Sequence, residues 1–185
     1  TPNMLPDGVT ARLFYTPDTS GGATSNDKAF SGGSTAQGSG YDITLELGEG
    51  VTGLAGFTIG GGFSHAEHSS DGKGDIEDET IYASYAVGGL TVGYQWSEAD
   101  LGTTTGAQQY DNDGYGITFA INDDLSIGYN HYESDQTNTG GDVTNEATSM
   151  QIAYSVGGAS IRLAESSSDN QDYNTGAAYD RDNTV

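Results

Sequence analysis

The sequence predicts an all-β protein, a transmembrane antiparallel up-and-down β-barrel in which consecutive strands are neighbours. Three observations carry that prediction. Apolar and polar residues alternate strictly through one segment after another, tight turns alternate with long polar stretches, and aromatic residues recur at two levels along the strands. A period of two residues puts successive side chains on opposite faces, so each segment is a strand with unlike faces.

The first strand places Val9, Ala11, Leu13 and Tyr15 on one face and Arg12 on the other. The next sets Tyr41, Ile43, Leu45 and Leu47 against Asp42, Thr44 and Glu46, and ends at a short link, Gly48-Glu49-Gly50. Ile81, Ala83, Tyr85 and Val87 lead into Gly88-Gly89, and Leu90, Val92, Tyr94 and Trp96 lead out. Tyr115, Ile117, Phe119 and Ile121 run to Asn122-Asp123-Asp124, followed by Leu125, Ile127 and Tyr129. Met150, Ile152, Tyr154 and Val156 reach Gly157-Gly158, and Ala159, Ile161 and Leu163 return. Glycine pairs supply the positive φ that a two-residue hairpin turn needs. Long polar stretches separate these hairpins: Pro17 to Gly40, Glu67 to Glu77, Glu98 to Asp113, Ser134 to Glu146 and Ser166 to Asp182. Short turns at one end and long loops at the other describe a barrel with two unlike rims.

About nine strands of about 8 to 10 residues result, close to the length a tilted strand needs to cross hydrocarbon. A tenth begins at Asn183-Thr184-Val185. An odd, unfinished set cannot close, and an open edge in lipid leaves backbone groups unpaired. Residues 1–185 therefore read as a single barrel segment, cut at both ends.

Composition removes several function classes. With 27 acidic residues against 5 basic ones, a net charge of −22 leaves no basic stripe for nucleic acid or for anionic lipid. Twelve tyrosines and 10% aromatic content argue against disorder, while 29 glycines and a mean hydropathy of −0.51 do not suit a packed globular interior. There is no cysteine, and so no disulfide and no thiolate metal site.

The direction of the faces follows from the small residues and the aromatics. Gly93, Gly116, Gly128, Ala120 and Ala153, with Thr, Ser and Gln, oppose the apolar set and suit a wet lumen wall. Tyr85, Phe119 and Tyr154 lie near the tight turns, whereas Tyr94, Trp96 and Tyr129 lie near the long loops. Two such levels separated by aliphatics match the aromatic girdles of a membrane barrel.

The segments Ser84-Tyr85-Ala86-Val87-Gly88-Gly89-Leu90-Thr91-Val92-Gly93-Tyr94, Asp124-Leu125-Ser126-Ile127-Gly128-Tyr129 and Gln151-Ile152-Ala153-Tyr154-Ser155-Val156-Gly157-Gly158-Ala159 resemble the hairpins of alphaproteobacterial, Rhodobacter-like general-diffusion porins. The resemblance runs from Tyr41 onward. It implies an intact barrel of about 16 strands, a homotrimer in the outer membrane of a Gram-negative bacterium, contact with lipid and lipopolysaccharide, and passive diffusion of small hydrophilic solutes and ions. It also implies that the family's inward-folded constriction loop precedes Thr1, and that a terminal strand would end in an aromatic where Val185 stands.

Under that reading Arg12, Asp42, Glu46 and Arg162 line the pore, where arginines facing carboxylates set a transverse field. The acidic excess predicts a preference for cations. Asp71, Asp75, Glu77, Asp78 and Glu79 crowd one loop and are candidate ligands for calcium, although no cofactor is required. Asp111, Asp113, Asp135, Asp142, Glu146, Asp169, Asp172, Asp180 and Asp182 extend the acidic character to the other loops. The Asp71 segment lacks the EF-hand pattern, with Ile76 at the glycine position and Tyr82 at the glutamate position. Only His65, His68 and His131 are available for acid–base chemistry, and no nucleophile motif accompanies them, so no enzyme is expected. A secreted acidic calcium-binding β-sandwich or solenoid, an adhesin or surface-layer module, would share the composition but bury its apolar faces inward.

Overall fold

Alternating segments form strands, and further strand grows from stretches without alternation. The computed structural model describes residues 4–17, 37–68 and 73–185. Its strands are β1 (Val9–Thr16), β2 (Gln37–Leu47), β3 (Phe57–His68), β4 (Ile76–Val87), β5 (Leu90–Asp100), β6 (Ala107–Ala120), β7 (Leu125–Asn138), β8 (Val143–Val156), β9 (Ala159–Asp169) and β10 (Arg181–Thr184). They form one ten-stranded sheet in chain order, every pair antiparallel. The sheet is an open meander: it does not close on itself, and β1 and β10 are its two edges.

Local chemistry explains the turns. Gly157 and Gly158 take φ values of 58° and 83°, the left-handed pair of a tight hairpin turn that side chains beyond glycine resist. Asn122 builds its turn differently: its side-chain oxygen accepts from the N–H groups of Asp124 and Leu125, each at 2.9 Å. The link expected at Gly48–Gly50 is longer than predicted. Residues 48–56 include one helical turn, Glu49–Thr52, stopped by Gly53 at φ 68°.

At the opposite rim the predicted long loops shrink. β5 and β6 are joined by residues 101–106, and β7 and β8 by residues 139–142, so Ser134–Asn138 and Val143–Glu146 are strand. These stretches are polar on both faces, and hydrophobic periodicity is blind to a strand of that kind. The β7–β8 turn is held by Asn138, whose side-chain oxygen accepts from Gly140 N–H at 3.0 Å while Asp142 accepts from Asn138 N–H at 3.1 Å.

The register sorts the side chains. Residues directly opposite one another share a face. Face A carries Leu13, Ile43 and Phe63, and also Tyr85, Val92, Ile117, Tyr129 and Met150. Face B carries Arg12, Thr44 and Gly62, and also Ser84, Gly93, Gly116 and Asn130. The described residues form no dry core. Among them Ala66, 4% exposed, is the one buried apolar side chain, while Ile43, Leu45, Ile81, Ile117, Phe119, Ile152, Val156 and Leu163 stand exposed.

Candidate lumen face and lipid face

The apolar band on face A does not follow the strand register. The row Leu13–Ile43–Phe63 continues into Glu79–Glu98–Asp111–Asp135, apolar on three strands and acidic on the next four. Further along the sheet the apolar row is Val87–Leu90–Phe119–Ile127–Ile152–Leu163. Thr44, the midpoint of Tyr41–Leu47 on β2, leads by register through Gly62, Thr80, Ser97, Asn112 and Ser134 to Asn145, one step past the Glu146–Asp169 pair. That level lies nine residues beyond Ile161, the midpoint of Ala159–Leu163 on β9, after seven strand-to-strand steps. With about 3.3 Å per residue and about 4.8 Å between strands, the band crosses the strands at a tilt of about 40°. Strands of membrane barrels tilt by about 35–45°.

Beyond the band, face A is acidic. Glu79, Glu98, Asp111 and Asp135 lie directly opposite one another across β4–β7, and Asp113, Glu133, Glu146 and Asp169 across β6–β9. Most of these carboxylates were expected on loops; the strand extensions place them in ladders. Like charges directly opposite repel. Arg12, Arg162 and Arg181 lie on face B and do not neutralise the ladders. Two histidines border the same rim of face A. His65 Nδ1 is 3.2 Å from Glu77 and stacks on Tyr41 at 5.2 Å; His131 is 3.6 Å from Glu146 and stacks on Tyr115 at 5.0 Å.

Face B holds the four residues singled out for the pore. Arg12 pairs across β2 with Thr44, so Asp42 and Glu46 flank it diagonally, two residues to either side. Arg162 lies on the same face at the far end of the sheet, opposite Ala153. A residue missed by sequence reasoning joins the first group: the Tyr82 hydroxyl donates to the Glu46 carboxylate across β3. Its ring lies over Gly60, where a Cβ would come within 2.6 Å of the phenol carbon. Glycine at 60 is thus what lets Tyr82 lie flat. The middle of face B is uncharged: Ser84, Thr91, Gln95, Thr118 and Asn130 border a shallow trough floored by Gly93, Gly114 and Gly116.

At the rim, β6–β8 carry a polar network on face B. Ser134 and Tyr132 donate to the side-chain oxygen of Asn112, and Gln136 donates to the Tyr110 hydroxyl at 3.0 Å. Tyr173, from the 3-10 turn Gln171–Tyr173, descends onto this network. Burial there pushes its hydroxyl above the ordinary phenol range, and the Ser134 contact pulls it part of the way back.

The five candidate calcium ligands are divided. Asp71 lies outside the described residues. Asp75 precedes β4, and strand alternation turns Glu77 and Glu79 to face A and Asp78 to face B. Among the described residues no three His, Asp or Glu side chains come together around a metal-sized site. His65 and His68 likewise sit on opposite faces of β3. No protein-family model and no curated protein sequence matches the chain.

Proposed function

We propose that this chain forms part of a porin, an outer-membrane β-barrel of a Gram-negative bacterium that passes small hydrophilic solutes and ions by passive diffusion. The diagonal apolar band on face A carries this reading. A flat hydrocarbon slab cut by strands tilted at about 40° selects apolar residues along that diagonal. A sheet packed on a soluble partner has no reason to move its apolar rows by more than a residue per strand while leaving them exposed. Face A then meets lipid, and face B, with its glycines, amides, hydroxyls and few charges, meets water. The two unpaired edges must close, on further strands or on each other, because lipid offers backbone groups no partner.

The remaining parts fall into place around that core. The carboxylate ladders stand above the band at lipid-headgroup level, where calcium shared with lipopolysaccharide phosphate would offset their repulsion. A homotrimer accords with the porin resemblance. On this reading transport is the whole activity and no reaction is catalysed. The acidic balance favours cations.

The test is single-channel recording of the natively extracted, full-length protein in a planar bilayer. Large, stable, ohmic steps with a cation-selective reversal potential are expected. A protein that inserts and stays electrically silent contradicts the proposal.

A further inference from the structure

We propose that the β9–β10 connection, residues 170–180, is a strap laid over face B that limits the size of solute the channel admits, with Tyr173 as its latch; this rests on the channel reading of face B. The ring of Tyr173 packs on Tyr110 with centroids 5.2 Å apart, and its hydroxyl shares a 2.7 Å hydrogen bond with Ser134 Oγ. Tyr110 and Ser134 both point from face B, so the strap folds over that face and away from the lipid side. Ser134 is 0% exposed and Gln136, two residues along on the same face, is 9% exposed, in a sheet that is mostly solvated. The base of the strap is pinned as well: Asn170 Nδ2 donates to the Thr144 carbonyl at 2.9 Å, and Gln171 N–H donates to the Tyr179 carbonyl at 3.0 Å.

Backbone conformation shows that these contacts hold Tyr173 itself, because asparagine and aspartate enter the left-handed region readily whereas tyrosine does not. Asn170, Asp172 and Tyr173 have φ values of 53°, 56° and 56°. Among the described residues they are the only non-glycine residues in the left-handed region, and all three fall within four positions. A tyrosine persists there where its surroundings over-determine it, and such residues cluster at clamps and switches. The strap covers β6–β8 at the level of Ser134 and Gln136, at the rim and above the neutral trough. On the channel reading, a solute entering along this wall meets Tyr173.

The test uses the full-length protein in planar bilayers, with a size series of polyethylene glycols to gauge the opening. Tyr173→Ala is expected to raise conductance and to admit at least the next larger polymer. Tyr173→Phe, which keeps the ring on Tyr110, is expected to stay closer to the parent channel. A second readout is independent of conductance. The chain has no cysteine, so Ser134→Cys introduces a single thiol into it. That thiol should react slowly with a water-soluble maleimide, and much faster once Tyr173→Ala is added. A parent channel with Tyr173→Ala unchanged in conductance and polymer limit overturns the strap while leaving the channel standing. A parent protein that forms no channel overturns both. Equal labelling of the introduced thiol with and without Tyr173 removes the latch.

Discussion

Ile152→Arg should destabilise the protein in a bilayer by about 2–4 kcal/mol, the cost of a cation at mid-depth on the lipid side of a barrel. Gln151→Arg, one residue away, should cost less than about 1 kcal/mol, because that side chain enters water. Ile152 lies in the middle of the diagonal band between Ile127 and Leu163. Gln151 pairs with Gly128 and Ala164 on face B, where added length meets little. Denaturant titration of both variants folded into liposomes measures the difference. Equal costs, or the greater cost at Gln151, would mean that face A does not meet hydrocarbon. The comparison is sharp because the two positions share strand and depth, and the introduced arginine differs in the face it enters.

The second large effect concerns ion selectivity. In the sector of face B that holds Asp42 and Glu46, Arg12 is the positive group. Arg12→Glu changes the local charge by two units. A unit charge about 5 Å from a passing ion in water contributes about 0.8 kcal/mol before screening. Two units shift a cation by about 1.6 kcal/mol and an anion by as much in the opposite sense. The substitution should therefore raise the cation-to-anion permeability ratio by up to about a hundredfold at low salt, and by much less at about 1 M salt, where the Debye length is about 3 Å. Arg162→Glu should shift selectivity in the same direction. Reversal potentials under a salt gradient read both changes, and an unchanged potential in both variants would show that these arginines lie away from the ion path.

Much of the fold was legible where one face is apolar. The hairpins around Gly88-Gly89 and Gly157-Gly158 and the turn at Asn122 follow from alternation and turn chemistry alone, and the tenth strand at the end of the chain is present as a short element. β3 was harder to see, because Gly60, Gly61 and Gly62 interrupt its pattern. The reason for Gly60 lies on another strand, in the ring of Tyr82, and only the register brings the two together. The strand extensions at the rim were invisible for a related reason. Asp111, Asp135 and Glu146 look like loop residues when read singly, and become rows of carboxylates only when strands are set side by side.

The site shows the same division. Strand parity was enough to put Arg12, Asp42, Glu46 and Arg162 on one face. It also separates Asp78 from Glu77 and Glu79, which proximity in sequence had grouped together. No periodicity reveals that Tyr173 turns back onto Ser134, since that contact spans 39 residues and depends on left-handed backbone at Asn170 and Asp172. The diagonal of the apolar band was the most informative feature, and it too is a property of pairing: each strand shows where its own apolar residues lie, and only the register shows that they drift.

The most direct test of a lipid-facing face A uses Trp96, the single tryptophan. It lies on face A between Ile81 and Asp113, at the border between the apolar band and the acidic ladders. Its fluorescence should be measured in liposomes containing lipids brominated at known depths, and then with acrylamide in the water phase. The expected result is strong quenching by bromines near the headgroup, weaker quenching by bromines near the bilayer centre, and protection from acrylamide. No response to brominated lipid at any depth would contradict the membrane barrel, and protection from acrylamide as well would favour a sheet whose apolar face packs inward.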